Sequence, residues 1–309
     1  MNVVPSTPQT TTQSISSLLA TVATVAAVRT SSLGLTRTDK RASAESDSNH
    51  HARQGTGKVL VSRLAGAEDR IKSIRQLQQL ARDTLTNHTT AWGDRRLLPN
   101  VNINSFLRQW GEVKKEFDIQ VTQLRHDASN LIRQAERNMG DYEVELPTEE
   151  EISEAFTLDF TMEQVPDAAN FKTTGLDAEV EAELKRRFEA NMQAAYAQAQ
   201  NDAVERVKLP LKNLVERMAA YQKREDSKAN GIDVGREGYF RDTIIENINQ
   251  IGQVFGSFNL TDDPLFERIA KELEAFDGIE ADDLRNSQAL RDDTAKRAQK
   301  ILDSLGDWM

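Results

Sequence analysis

The stretch "LAGAEDRIKSIRQLQQLARDTL" (residues 64–85) decides what kind of fold this chain can have. Leu64, Ala67, Ile71, Ile74, Gln78, Ala81 and Leu85 follow one another at alternating spacings of three and four. A helix gathers such positions into one stripe, and Arg70, Lys72, Arg75 and Arg82 fall off it. The spacing predicts a helix from Lys58 to about Asn87 with a heptad seam. Gln78 stands inside the seam, where a buried amide can set the register of paired helices at some cost in stability. Ile71, Ile74, Gln78 and Leu85 are therefore the candidate interaction surface for a partner or a second copy. The competing reading keeps the seam inside the chain, against the face that carries Phe106 and Phe117.

Just upstream lies "RQGTGKVLVSR" (53–63), the one stretch that invites a chemical reading. A phosphate-binding loop needs a glycine five residues before its Gly-Lys pair and a Ser or Thr after it. Ala52 and Val59 occupy those positions, and the polar "ESDSNHHA" stands where a buried strand should precede. Only Gly57-Lys58 survives. The stretch reads as a flexible hinge, and without a phosphate loop the chain alone should not hydrolyse ATP.

Downstream, "TTAWGDRRLLPNVN" reads as a loop leading to a second helix from about Asn104 to Asn138. Phe106, Trp110, Val113, Phe117, Leu124, Leu131 and Ala135 share one of its faces, so the two helices form an antiparallel hairpin. In 142–171, Thr148 and Glu151 make a capping box that opens a short helix. Phe156, Leu158, Phe160 and Met162 then alternate with polar residues, as in a strand. Glu143-Val144-Glu145 is the expected partner of that strand. A third long helix begins near Leu176 and should kink or break near Lys208, ahead of Pro210. Asn230-Gly231 marks its end. Further on, Phe240, Ile244, Ile248, Ile251 and Phe255 face one way. Thr261 or Asp262 caps the next helix, whose stripe is Leu265, Ile269, Leu273 and Phe276. A last, polar helix from about Ala281 to Leu305 should lie on the surface.

Composition bounds the chemistry. The 309 residues are 38% hydrophobic and only 6% aromatic, which favours helices over a sandwich or barrel. Cysteine is absent, so disulfides, thiolate metal sites and cysteine nucleophiles are excluded, and a reducing cytoplasm fits. The segment 14–28 is too short and too rich in Ser and Thr to span a bilayer, and no basic residue precedes it. It reads as a weak amphipathic helix, and no membrane partner is expected. Residues 1–57 hold 19 Ser and Thr and no aromatic residue, and should be mobile. Residues 1–140 carry 19 basic and 12 acidic residues, net +7, which leaves −17 of the total −10 in the remainder. That asymmetry suits a homo-oligomer or a polyelectrolyte partner.

No metal or cofactor site stands out. None of the four histidines has a glutamate three residues before it, as carboxylate-bridged di-iron bundles require, and all read as surface histidines. The doublet Asp262-Asp263 and the triplet Glu149-Glu150-Glu151 sit at expected helix starts, where negative charge is favoured without any metal. Gly231, Gly235 and Gly238 with Arg236 could form an anion nest, but Glu237 opposes one. Arg95, Arg96, Lys114, Lys115 and Arg125, among Trp92, Phe106, Trp110 and Phe117, are the candidate nucleic-acid contacts. Their interleaving with Glu112, Glu116 and Asp118 equally describes a salt-bridged helix surface.

Three stretches, "LLPNVNINSFLRQWGEVKKEFD", "LPTEEEISEAFTLDFTMEQVP" and "YFRDTIIENINQIGQVFGSFNLTDDPLFERI", resemble in order and pattern a helical family of phages and bacterial mobile elements. They are spread over residues 97–268. Members are often encoded beside a MoxR-type AAA+ ATPase and a von Willebrand factor A protein, so the resemblance implies an AAA+ ATPase partner and no catalytic residue. The expectation is an all-α protein of long antiparallel hairpins or coiled coil. It would have a small β-element near 142–163, a disordered tail (1–57), a hairpin region (58–225) and a C-terminal helical region (226–309). Its expected function is that of a non-enzymatic cytoplasmic adaptor or scaffold. The alternatives are a nucleic-acid-binding accessory protein of phage replication or takeover, and a virion assembly protein.

Overall fold

The computed structural model describes residues 14–170, 175, 177–231 and 242–306, leaving aside the side chains of 222, 223 and 226–229. The chain runs α1 (Ile15–Val22), β1 (Ala23–Ser31), β2 (Thr36–Asp39), α2 (Lys40–Asn49), β3 (Val59–Ser62) and α3 (Glu68–His88). Then come β4 (Thr90–Trp92), β5 (Arg95–Pro99), α4 (Ile103–His126), α5 (Ala128–Met139), α6 (Glu149–Ala155) and β6 (Thr157–Gln164). The last elements are α7 (Ala178–Ala229), α8 (Thr243–Phe255), α9 (Pro264–Leu273), α10 (Ala281–Asn286) and α11 (Gln288–Gly306). Helix predominates, with a four-stranded sheet of order β4-β5-β1-β6 and a two-stranded β2-β3 ribbon. The expected β-content was a single element near 142–163, and the described chain has six strands.

Two compact units divide the chain, and neither is continuous in sequence. One comprises residues 1–26, 86–103 and 162–309; the other comprises 27–85 and 104–161. Boundaries at 57 and 225 do not coincide with these.

In the first unit, β1 pairs antiparallel with β5, Ala23 opposite Pro99 and Ala26 opposite Arg96. Strand β5 pairs with β4 around Gly93, whose φ of +59° suits a residue without Cβ. The loop expected between the first two helices is therefore a β-hairpin. Leu19, Ala23, Val25, Leu97, Val165, Met192, Tyr196 and Ala199 close a small core between α1, the strands and α7. A larger core joins the second half of α7 to α8, α9, α10 and α11. Helix α7 is neither broken at Lys208 nor ended at Pro210. Proline in a helix interior costs about 3 kcal/mol. Val207, Leu211 and Leu214, all fully buried beside it, hold the helix together through packing. Gly231, at φ +76°, follows the end of α7 as expected. The helix expected at the surface, 281–305, is α10 and α11, and one face of it is core: Leu284, Thr294, Ala298, Ile301 and Leu305 are buried. Its abundant charges sit on the other faces and mask this stripe in the sequence. Asp263, not Thr261 or Asp262, caps α9 through Leu265 N.

In the second unit, helix α3 starts at Glu68, ten residues later than the seam suggested. Val59–Ser62 is instead β3, antiparallel to β2 with Thr36 opposite Ser62. Val61 is buried and Leu60 is exposed, the alternation of a strand. Gly66, at φ +104°, and the acidic pair Glu68-Asp69 then begin the helix. The helix expected over 104–138 is interrupted at Asp127, which leaves helical geometry (φ −92°, ψ 0°) and pairs with Arg70. Thr148 and Glu151 form the expected capping box at α6, with Glu151 N donating to Thr148 Oγ1 at 3.1 Å. The strand that follows is β6, but 143–145 is not its partner. Its neighbour in the sheet is β1, and the hydroxyls of Ser31 at the end of β1 and Thr157 share a hydrogen bond at 2.7 Å.

Residues 1–13 lie outside the described residues. The remainder of the expected tail is ordered from Ser14, in α1, β1, β2 and α2, and the helix expected over 14–28 turns into a strand at Ala23.

Candidate functional site

The phosphate-loop stretch is already filled by the protein itself. The Asp47 carboxylate accepts hydrogen bonds from Gly55 N and Gly57 N, both at 2.7 Å. Asp47 is 4% exposed, so the glycine turn cradles an internal anion. The expected hinge is a fixed turn, and Lys58 points to solvent.

The seam residues are core. Ile71 and Ile74 are fully buried, and Gln78 and Leu85 are 3% exposed. The Gln78 amide donates to Ser31 O at 2.7 Å and Thr157 O at 2.9 Å. It ties β1 and β6 instead of fixing the register of a second chain. Ile71, Ile74, Gln78 and Leu85 thus offer no surface to a partner, because burial within the chain already uses their apolar area.

The five basic candidates are placed separately. Arg95 and Arg96 are adjacent on β5 and so point to opposite sides. Arg95 pairs with Glu163, whose hydrogen bond raises its pKa above the ordinary arginine value. Arg96 is bound to Thr89 Oγ1 at 3.0 Å, Thr89 O at 3.1 Å and Asp202 at 3.4 Å, and burial pushes its pKa down. Arg125 donates to Ser153 O at 2.8 Å. Lys114 is bound by both carboxylate oxygens of Asp118 at 2.6 Å. Lys115 makes no hydrogen bond or ion pair among the described residues. Four of the five cations are engaged internally, and one is open to a ligand.

Lys115 lies on the best candidate surface of the second unit, the outer side of α4. The inner side carries Phe106, Trp110, Val113, Phe117, Val121 and Leu124, all buried. Phe160 of β6 packs edge-on against Phe106 and Trp110, with ring centroids 5.3 and 4.8 Å away. The outer side follows the row Leu107, Gly111, Lys115, Ile119. Leu107 and Ile119 are each 41% exposed. A shallow depression of about 660 Å³ runs here past Trp110, Gly111, Ile119, Thr122 and Gln123. A Cβ on Gly111 would meet nothing within 4 Å, so no internal packing calls for glycine there. Glycine inside a helix costs about 1 kcal/mol relative to alanine. The composition of this row is that of a surface a second backbone can approach closely.

Sequence reasoning missed three polar anchors. Arg63, 4% exposed, donates to Glu145 O at 2.9 Å and pairs with Glu151 at 3.1 Å. Asp39 caps α2 through Ala42 N and also accepts from Glu143 N, and these two backbone bonds hold its carboxyl below the usual aspartate range. His88 is 3% exposed, not a surface histidine, and its carbonyl accepts from Asn102 Nδ2 at 3.0 Å. The one available signal was the turn chemistry of Asp39 ahead of a helix. His50, His51 and His126 are exposed.

No three or more His, Asp or Glu residues among those described could hold a metal ion, and no described helix is long and apolar enough to cross a membrane. Of the connecting loop expected before α8, in which Glu237 counts against an anion nest, Gly235, Arg236, Glu237 and Gly238 lie outside the described residues, as does Phe240. No protein-family model, curated protein or solved structure matches the chain.

Proposed function

We propose that the protein is a non-enzymatic adaptor or scaffold that docks an acidic amphipathic helix of a protein partner on the outer row of α4. The observation that supports this reading most is Gly111, a mid-helix glycine under open space, flanked by exposed Leu107 and Ile119 and by the unpaired Lys115. Apolar anchors with a small residue between them suit helix packing, and the open ammonium favours an acidic flank. An AAA+ ATPase is the partner class that the sequence resemblance implies, and a reducing host cytoplasm suits the lack of cysteine. A second copy, through its acidic half, is the alternative occupant of the row. Virion assembly is the scaffold role that such copies would serve.

Pull-down from the native host with mass spectrometry identifies the partner, and direct binding of that purified partner then tests the site. Leu107→Glu with Ile119→Glu should abolish binding at unchanged helicity, and Gly111→Leu should weaken it at least about tenfold, the effect of one blocked close contact. Unchanged partner affinity in both variants rejects the row as the site. Light scattering that shows an oligomer dissolved by the same variants assigns the row to a second copy. The nucleic-acid reading rests on Lys115 alone, since Trp110 is buried against Phe106 and Phe160. It predicts single-stranded DNA binding that falls steeply with salt and is lost in Lys115→Glu.

A further inference from the structure

A second feature, in the first unit and independent of α4, concerns Arg206 on α7. Its Nη1 donates to Thr89 O at 2.6 Å, and the guanidinium lies 5.6 Å from the centre of the Phe258 ring. Its remaining N–H groups have no acceptor among the described residues. The nearest compensating carboxylate, Asp202, is committed elsewhere: Oδ2 accepts from Ala91 N at 2.9 Å and from Arg96 at 3.4 Å. Two partly buried guanidiniums thus share one carboxylate, and one positive charge remains unbalanced. Burial pushes the pKa of Arg206 down from the ordinary arginine value; the charge of Asp202 opposes this and that of Arg96 adds to it. Such a site is relieved by an anion.

Arg206 is among the residues that line a cavity of about 250 Å³, beside Leu209 and Pro210 of the same helix. Its other lining residues are the carboxamide-bearing Asn87, Asn247 and Gln250 and the apolar Ile251 and Val254, with no Asp or Glu among the described residues that line it. None of the three carboxamides makes a hydrogen bond to the described residues. The cavity is somewhat smaller than the roughly 300–1,000 Å³ of drug-sized sites, and it suits a small ligand. A planar fork with free donors matches a carboxylate in two-point contact. A single net charge matches a monoanion better than a phosphate dianion.

We propose that this cavity is a binding site for a small aliphatic monocarboxylate, its carboxylate on Arg206 and the carboxamides, its aliphatic body against Ile251 and Val254. The test is thermal unfolding and calorimetric titration of the full chain with sodium butyrate at constant ionic strength. Butyramide serves as the neutral isostere, and inorganic phosphate as the competing anion. Butyrate should raise the midpoint saturably by linkage, and butyramide should not. Arg206→Gln should weaken butyrate by about tenfold or more, the usual cost of one charged hydrogen bond. Asn247→Leu with Gln250→Leu alters two exposed positions and keeps Arg206, so it reports even if Arg206→Gln fails to fold; it should weaken butyrate as well. The proposal is overturned by any of four results: no saturable butyrate effect, an equal effect of butyramide, tighter binding of phosphate, or an unchanged butyrate affinity in the double variant.

Discussion

In residues 242–306 order comes from apolar side chains. Phe255 and Phe266 stack at 5.0 Å with rings 2° from parallel, and Phe276, Ile269, Leu284 and Ile301 complete a core that α7 covers. In residues 14–57 only a few apolar side chains, Leu19, Ala23, Val25, Ala26 and Leu33, are buried, and polar groups that find partners supply much of the remaining order. Ser17 Oγ donates to Asp167 at 2.7 Å and Ser16 N to Glu189 at 3.1 Å. Farther along, Asp39 caps α2, Asp47 holds the glycine turn, and Val59 N donates to Ser43 Oγ at 2.9 Å. The difference shows that a Ser/Thr-rich stretch without aromatic residues can be ordered. Its side chains then satisfy backbone groups, and chain entropy is offset by hydrogen bonds and by attachment to neighbouring elements.

The contrast predicts a ranking of damage. Phe266→Ala empties a fully buried site and should cost about 3–5 kcal/mol in urea unfolding, with hydrogen exchange rising throughout α8, α9 and α11. A loss below about 1 kcal/mol would mean that the stacked rings are not the organising contact there. Asp47→Ala removes the acceptor of two backbone N–H groups and should cost about 1–3 kcal/mol. Its exchange increase should stay within 40–62. A cost as large as that of Phe266→Ala would dissolve the comparison.

Much of the C-terminal order was legible because apolar residues at helical spacing can be buried only one way. Ile269, Leu273 and Phe276 were named from the period alone and are core. The seam at 64–85 was legible as a helix face, but its destination was not. A heptad stripe looks the same whether it meets its own chain or another, and the ligands of Gln78 lie 47 and 79 residues away. The N-terminal segment was misread because composition records hydrophobicity and not who bonds to whom. Asp39 and Glu143 are 104 residues apart, a pairing that no local pattern announces. The outer row of α4 was half legible: Lys114 and Lys115 were named, whereas Gly111 gains meaning only from the open space above it.

Acid should separate the two regions further. Hydrogen bonds from Ala42 N and Glu143 N lower the pKa of Asp39, and those from Ser17 Oγ and Ala169 N lower that of Asp167. A carboxyl depressed in the fold stabilises it in full above its unfolded value, near 3.8, and that contribution is lost as pH falls through the folded value. Below pH 3.8, hydrogen exchange should therefore rise in α1 and α2 before it rises around Phe255 and Phe266. Simultaneous opening of all four would show that these carboxylates do not limit the N-terminal segment.

The smallest expected effect isolates a single hydroxyl. Ser43 is 9% exposed; its Oγ accepts from Val59 N and donates to Asp39 O, so it bridges α2 to β3 and to the end of β2. Ser43→Ala keeps the helix, since alanine is the better helix former, and deletes only this bridge. It leaves Val59 N without that acceptor and should cost about 1 kcal/mol, the usual net value of a neutral hydrogen bond. The mirror change, Ala298→Ser in α11, puts a hydroxyl into a fully buried apolar site, where it can bond back only to the preceding turn. It should cost about 1–2 kcal/mol. If hydrogen bonding holds the N-terminal segment and burial holds the C-terminal one, both exchanges destabilise although they are chemically opposite. A neutral Ser43→Ala beside a damaging Asp47→Ala would assign the N-terminal order to its carboxylates alone.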